Sequence, residues 1–219
     1  DRRPVRTAGA LALMLRPFFG EWERRLASVD TNRVVRPFEW GTEWLGLPDS
    51  GDPLAQIKAW SHAAVADSST FFTAPTVTTF ERVGDTIRFP TPLVSPYDIN
   101  NTVVARVFEP ATSDRPRPRR AVVVLPQWNA DTEGHVGLCR LFARFGLTAV
   151  RLSLPYHDAR RPPELARAEF IVSSNIGRTL HANRQAVLDA KGVVDWLVSQ
   201  GFERIGIIGG SGLGNALAA

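Results

Sequence analysis

Cysteine is nearly absent from this sequence: among 219 residues, only Cys139 carries a thiol. A single cysteine excludes an intrachain disulfide, so we predict a reducing compartment, the cytoplasm. Long hydrophobic runs are also missing. The longest apolar stretch near the start, residues 8–15, is too short to cross a bilayer, and no small-residue cleavage site follows it. We therefore expect neither a transmembrane segment nor a signal peptide.

Lysine is the other scarce residue. Only Lys58 and Lys191 occur, so arginine supplies 24 of the 26 basic side chains, and the formal net charge is +4. The arginines are scattered, apart from alternating arginine and proline at residues 115–120, a pattern typical of a solvated loop. Because the sequence has neither a basic face nor interleaved basic and aromatic residues, we predict no nucleic-acid partner.

The composition that remains is that of a globular protein, with 44% hydrophobic and 22% charged residues. Residues 1–70 form one compositional block and predict an N-terminal helical extension. Apolar residues recur at helical spacing over residues 11–26. A second candidate helix covers residues 53–66, with Asp52 as its N-cap ahead of a proline.

An aromatic cluster lies between these two candidate helices and consists of Phe38, Trp40 and Trp44. It would either line a ligand groove or pack the extension against the main domain, and we favour packing. On this basis we expect the extension to lie beside the sheet or over the pocket.

From residue 75 onward the pattern predicts strands that alternate with helices. Two short alternating runs, at residues 76–83 and 86–89, flank Gly84-Asp85 and predict a β-hairpin. Further strands are predicted at residues 102–108, 121–125, 147–154 and 205–208. The aliphatic run at residues 121–125 is typical of a strand buried on both faces of a parallel sheet.

Three helices are predicted among these strands. The first follows Asp131 as its cap, the second covers residues 175–200 and ends at Gly201, and the third begins at Gly214. An antiparallel entry followed by a βαβαβα order predicts an α/β fold with a doubly wound, mostly parallel sheet.

Ser211 lies where a buried strand turns sharply into a helix. It follows Gly209 and Gly210 and precedes Gly212. A nucleophilic serine needs this layout, since a strained turn projects its oxygen above the sheet and small neighbours let the strand and helix backbones pass closely. The start of the helix adds unpaired N–H groups where an oxyanion would develop. Ser211 is therefore the candidate catalytic nucleophile.

Residues 75–219, with this serine turn, resemble the α/β-hydrolase superfamily. The resemblance implies a serine hydrolase that needs no cofactor and acts on a small-molecule or lipid-like acyl substrate. Residues 126–129, Pro-Gln-Trp-Asn, occupy the place of the family's oxyanion-hole loop. Carried over, one donor is the Trp128 N–H, with Gln127 as the alternative, and the other donor is the Gly212 N–H.

Three longer segments are similar to a more particular group: residues 125–131, residues 153–158, and residues 173–179. Their amino-acid sequences resemble a bacterial branch of the superfamily that is related to abhydrolase domain-containing protein 18. This narrower resemblance implies no particular substrate.

The sequence departs from the family in two ways. One residue is inserted after Ser211, so that Leu213 stands where a small residue is usual and Gly214 follows it. The sequence also ends eight residues after Ser211, whereas the family places its acid and histidine downstream of the serine. We therefore expect a C-terminally truncated chain in which the triad is incomplete and which is inactive as it stands.

Other residues invite competing interpretations. His135 and His157 follow strand ends, and we expect rim or second-layer roles for them, with Tyr156 also at the pocket rim. The spacing of Asp131, Glu133 and His135 matches no common ligand set, so no metal is predicted.

The glycine-rich turn also suggests two alternative functions. A dinucleotide-binding oxidoreductase is one, but Gly-x-Gly-x-x-Gly fits no register of residues 209–214, and such a motif usually follows the first strand of its domain. A non-catalytic protein of the same fold is the other, because a fold does not establish a function.

Overall fold

A computed structural model describes residues 20–22, 24–25, 35–111 and 118–219. The chain divides into two compact units, Asp1–Pro37 and Phe38–Ala219. In the first unit residues 20–22 and 24–25 are helical, and the rest of the helix predicted over residues 11–26 lies outside the described residues. Because the division falls after Pro37, residues 38–70 of the predicted extension belong to the second unit.

The second unit begins with a 3-10 turn, Thr42–Leu45, and two helices, α1 at Pro53–Ala66 and α2 at Ser68–Phe71. The bounds of α1 are those predicted. Asp52 caps α1 as predicted, since its carboxylate accepts a hydrogen bond of 3.1 Å from the Leu54 N–H.

In the described part of the chain six strands form one mixed sheet: β1 Glu81–Val83, β2 Thr86–Pro90, β3 Thr102–Phe108, β4 Arg120–Leu125, β5 Thr148–Leu152 and β6 Arg204–Gly209. Their order in the sheet is β1-β2-β3-β5-β4-β6. The pairs β1–β2, β2–β3 and β3–β5 are antiparallel, whereas β4 pairs in parallel with both β5 and β6.

The predicted hairpin is confirmed, with Gly84 at φ 60° in the turn between β1 and β2. The prediction of a mostly parallel sheet is not confirmed, because three of the five strand pairs are antiparallel. For β1–β2 and β2–β3 the physical reason is the short connection, which favours antiparallel pairing. β3 then pairs antiparallel with β5, at the edge of the parallel strands, and not with β4, the next strand in the chain.

Three further helices cover both faces of this sheet: α3 Val136–Arg144, α4 Ile176–Ser199 and α5 Ser211–Ala218. Alternate residues of β4 face opposite ways. Val123 belongs to the larger core, with side chains of α4 and α5, whereas Val122 and Val124 contact Cys139 of α3 in a smaller core. Helices on both faces of a sheet define the α/β class, as predicted.

The caps of α4 are those the sequence indicates. Asn175 accepts a hydrogen bond of 2.8 Å from the Arg178 N–H, and Gly201 follows the helix with φ 77°. None of the helices in the described part of the chain is both long and apolar enough to cross a bilayer.

The aromatic residues near position 40 are used for packing. Trp44 stacks on Tyr97 with ring centroids 6.4 Å apart and meets the ring of His181 on α4 at 5.5 Å. Phe38 and Trp40 contact each other edge to face at 4.8 Å. The contacts of Trp44 agree with the packing role that we favour over a ligand groove, whereas Phe38 is 58% exposed.

Candidate active site

Ser211 is the first residue of α5. Only Gly210 separates it from Gly209, the last residue of β6. Its backbone has φ 60°, in the left-handed region that serine rarely occupies. The preceding residue, Gly210, donates its N–H to the Leu125 carbonyl at 2.9 Å. This hydrogen bond ties the turn to the end of β4. The strained serine conformation that the sequence predicts is therefore present.

Two glycines around Ser211 let backbones touch. A Cβ at Gly209 would overlap the carbonyl oxygen of Gly214. A Cβ at Gly214 would lie 2.8 Å from the Leu125 oxygen and 3.0 Å from the Pro126 oxygen. Gly214 thus provides the close contact between strand and helix, three residues after the serine instead of two. Leu213, at the usual small position, packs against the larger core.

The loop after β4 lies beside this turn. Because β4 and β6 are parallel neighbours with Leu125 paired to Gly209, the residues that follow both strands meet at one edge of the sheet. Gln127 and Trp128 are exposed there, and within the described residues neither backbone N–H has a hydrogen-bond partner. The first N–H groups of α5, including that of Gly212, are also without intrahelical partners.

Strained residues concentrate at this same edge. In the described part of the chain, every non-glycine residue with positive φ lies in the segment that follows the carboxyl end of β4, β5 or β6. They are Asn129, His135, Tyr156, Asp158 and Ser211. Such conformations persist only where the surroundings enforce them, and they cluster at functional sites.

Residues 127–130 form a turn, called the Trp128 turn below, because the Ala130 N–H donates to the Gln127 carbonyl. Hydrogen bonds from two sides hold this turn in place. The Trp128 indole N–H donates to the Ala168 carbonyl at 2.9 Å, and the Arg167 guanidinium lies 5.3 Å from its ring centroid. The Asn129 side-chain oxygen accepts from the Ala168 N–H at 3.0 Å. On the other side, the Asn129 N–H donates to Nε2 of His157 at 2.9 Å.

Tyr156 and His157 are buried, with relative exposures of 0% and 1%, so the rim position predicted for both is wrong, whereas the second-layer role also expected for His157 is compatible with its burial. The Tyr156 ring contacts Tyr97 and Phe170, and burial raises the pKa of its phenol to about 12. Burial also lowers the pKa of His157, opposed by its hydrogen bond to Pro155 and by the charge of Asp158. Sequence position after a strand end did not show that both side chains turn inward.

His135 packs against the serine turn, because a Cβ at Gly210 would overlap the edge of its imidazole ring. It is also the N-cap position of α3, so the prediction that Asp131 caps this helix is wrong. Asp131 instead closes a local turn, accepting from the N–H groups of Glu133 and Gly134 at 3.1 and 2.8 Å. Among the described residues, no group of three or more histidine, cysteine or acidic side chains is placed to hold a metal ion.

A buried ion pair supports the loops and was not anticipated. Arg151 of β5 and Asp158 lie 2.9 Å apart with their side chains almost fully buried. Arg151 also donates to the Gly134 carbonyl at 2.6 Å, and Ser153 donates to Asp158 at 2.9 Å. An arginine inside an aliphatic strand was the signal available in the sequence, since a charge there needs buried partners.

No protein-family model matches the chain, and no curated protein matches it either. The chain is similar to solved structures, among them that of a hypothetical protein from Pseudomonas aeruginosa, with 22% sequence identity and a TM-score of 0.39. That match covers 62% of this chain and 36% of the other. The chain thus spans about a third of the length of the structure it matches.

Proposed function

We propose that the protein is a serine hydrolase of the α/β-hydrolase type, acting on an ester, thioester or amide carbonyl. The observation that carries the proposal is the left-handed backbone of Ser211 at a turn between a parallel strand and a helix, with glycines where backbones touch. A serine held in a strained conformation is a reason to suspect function, because such strain needs support from the surrounding structure.

The position of the turn in the sheet supports the same proposal. Strand β4 has β5 on one side and β6 on the other, so the direction of winding reverses at β4. In open α/β sheets, ligands bind outside the carboxyl ends of the strands at such a reversal. Ser211 and Trp128 follow the two strands β6 and β4 at this point.

In the proposed reaction the Ser211 Oγ attacks the carbonyl carbon of a small-molecule or lipid-like acyl group. The N–H groups of Gly212 and Trp128 stabilise the resulting oxyanion, with Gln127 as the alternative to Trp128. In this mechanism a histidine accepts the serine proton and an acidic side chain orients that histidine. No cofactor takes part in this proposal.

The proposal also includes a relationship and a compartment. The proposed relationship is to the bacterial branch related to abhydrolase domain-containing protein 18, because residues 125–131, 153–158 and 173–179 resemble it. The cytoplasm is the proposed compartment because the single thiol, Cys139, is buried and unpaired.

A fluorophosphonate probe tests the proposed function directly. We expect the complete protein to be covalently labelled at Ser211, and Ser211→Ala to lose all labelling. The matched control is Ser199→Ala, which removes an exposed serine at the end of α4 and should label like the wild type. Peptide mapping by mass spectrometry locates the modified residue.

Other results would contradict the proposal in distinct ways. Absence of labelling in a folded wild type would favour a non-catalytic protein of this fold. Absence of labelling together with saturable binding of a dinucleotide would favour the dinucleotide-binding alternative. Labelling at another serine would overturn the assignment of Ser211.

A further inference from the structure

His157 uses both of its ring nitrogens inside the protein. Nδ1 lies 2.9 Å from the Pro155 carbonyl oxygen, and Nε2 lies 2.9 Å from the Asn129 backbone nitrogen. A backbone N–H can only donate, so Nε2 accepts and the ring proton is on Nδ1, where it donates to Pro155. The imidazole is therefore neutral in this arrangement, and its side chain is 1% exposed.

The partner of Nε2 is the turn that carries the proposed oxyanion donor. Asn129 has φ 56° and directly follows Trp128. The Asn129 N–H donates to His157, and the Asn129 side-chain oxygen accepts from the Ala168 N–H. The Trp128 indole N–H donates to the Ala168 carbonyl. These three hydrogen bonds hold the turn but leave the backbone N–H of Trp128 available to a ligand.

We propose that His157 is a positioning residue, which holds the Trp128 N–H in place through its hydrogen bond to Asn129. This inference rests on the proposed function, because it assigns a support to the oxyanion donor of that same site. A histidine suits the position, since a neutral imidazole accepts from a backbone N–H in a buried place without bringing a charge.

The positioning depends on the ring staying neutral. A proton on Nε2 would face the Asn129 N–H donor to donor and would break the hydrogen bond. Burial lowers the pKa of His157, which keeps the ring neutral near pH 7. The charged groups that act on it are Asp158, which favours protonation, and Arg151 and Arg160, which oppose it. Asp158 lies 2.9 Å from Arg151, so its charge is largely offset.

Labelling kinetics test the role of the side chain. At pH 8 in the complete protein, we expect His157→Ala to lower the second-order rate constant for fluorophosphonate labelling of Ser211 by about 10- to 100-fold, since displacing one oxyanion donor has effects of this size. His157→Gln, whose amide oxygen accepts a hydrogen bond, should restore most of the rate. The matched control is His181→Gln, a second buried histidine that contacts Trp44 instead of the turn.

A nitrogen NMR titration of the wild type tests the hydrogen bond without any variant. We expect the His157 ring to carry its proton on Nδ1 at pH 7.5. On acidification, the Asn129 amide resonance should shift with the same midpoint as the His157 ring, while the Gly201 amide, bonded to the Val198 carbonyl, should not. This measurement decides the matter even if His157→Ala does not fold.

The outcomes separate the two proposals. A wild type that is not labelled at Ser211 refutes the proposed function and, with it, the positioning role. A labelled wild type with an unchanged rate in folded His157→Ala refutes the positioning role alone. An Asn129 amide that ignores the titration of His157 also refutes it.

Discussion

At the scale of single residues, the proposed nucleophile has the strained backbone, while neighbouring glycines allow the close packing around it. Ser211 adopts the left-handed conformation, at a cost of about 1–2 kcal/mol for a residue with a Cβ. None of Gly209, Gly210 and Gly214 has a positive φ. These glycines are needed for room, because a Cβ at any of the three would overlap or crowd a neighbouring atom. The glycines thus supply the space in which the strained serine is held.

Substitutions within β6 test this division. We expect Gly209→Ala to lower the free energy of unfolding by about 1–3 kcal/mol or more, because its Cβ would meet the Gly214 backbone, which cannot move aside. Gly206→Ala is the matched control in the same strand, since nothing lies within 4 Å of its Cβ position. Urea denaturation of the two variants and the wild type measures the difference. Equal midpoints for the two variants would contradict the close contact.

Residue patterns predicted the position of Ser211 but not the surroundings of the other site residues. The serine is recognisable because its strand, its glycines and its helix are contiguous in the sequence. His157 was wrongly placed at a rim, since its partner Asn129 is distant in the sequence and joins it only through the sheet. Asn129 and His135 belong to residue types that adopt the left-handed conformation more often than most, but the sequence does not show which loop asparagine or histidine does so.

At the scale of elements, helix α4 is anchored through its N-cap. Asn175 accepts from the Arg178 N–H, and its amide donates to the Glu39 carboxylate at 2.8 Å. A parallel bridge between Glu39 and Asn175 accompanies these bonds. One side chain therefore both starts the helix and holds the segment around Glu39.

Two substitutions separate these roles. We expect Asn175→Ala to lower the free energy of unfolding by about 0.5–2 kcal/mol, the usual effect of losing a cap. Asn175→Asp keeps a capping oxygen but places a second carboxylate beside Glu39, so we expect like-charge repulsion to lower its free energy of unfolding. If this loss of stability disappears in the double variant Asn175→Asp/Glu39→Gln, repulsion is its cause. Urea denaturation at low and high salt checks this, since repulsion is screened by salt. A fully stable Asn175→Ala protein would show that the cap is unimportant.

Element bounds follow from local sequence where local interactions decide them. β3 and α1 have the predicted bounds, because an alternating run defines the strand and Asp52 followed by a proline marks the start of the helix. α5 begins at Ser211, earlier than predicted, because the glycine pattern suggested an extended turn there. The Asp131 cap was wrong for a different reason: a short polar side chain closes a turn as readily as it caps a helix.

At the scale of the whole molecule, buried histidines link stability to pH. Burial lowers the pKa of both His157 and His181. The unfolded chain therefore binds protons more readily than the native protein below about pH 6.5, the ordinary value for histidine. The free energy of unfolding should fall as the pH drops through this range, by at most about 1.4 kcal/mol per pH unit for each histidine.

Urea denaturation at several pH values between 7.5 and 5.5 measures this slope. We expect His181→Gln to show a shallower slope than the wild type, because one of the two groups no longer titrates. Ser199→Ala, which alters no titratable group, should keep the wild-type slope. An equal slope in all three proteins would exclude His181 as a contributor.

Sheet topology was predictable only in part. The alternation of strands and helices indicated the α/β class, and long aliphatic runs indicated the central strands. The proportion of antiparallel pairs was underestimated because β3 pairs antiparallel with β5 and not with β4, the next strand in the chain, and nothing local in the sequence indicates this pairing. The exposed positions Ile207 and Ile208 of β6, at 43% and 37%, show that an aliphatic run does not guarantee burial on both faces.

The parallel ladder between β4 and β6 also decides when Ser211 meets the proposed oxyanion donor at Trp128. It joins segments that are far apart in the chain, and the entropy of closing such a connection opposes the pairing until the intervening β5 and α4 have folded. In a polypeptide whose β6 has not yet paired with β4, Ser211 and Trp128 lie on separate segments. On the proposed function, the serine therefore has both of its oxyanion donors only after this pairing has formed.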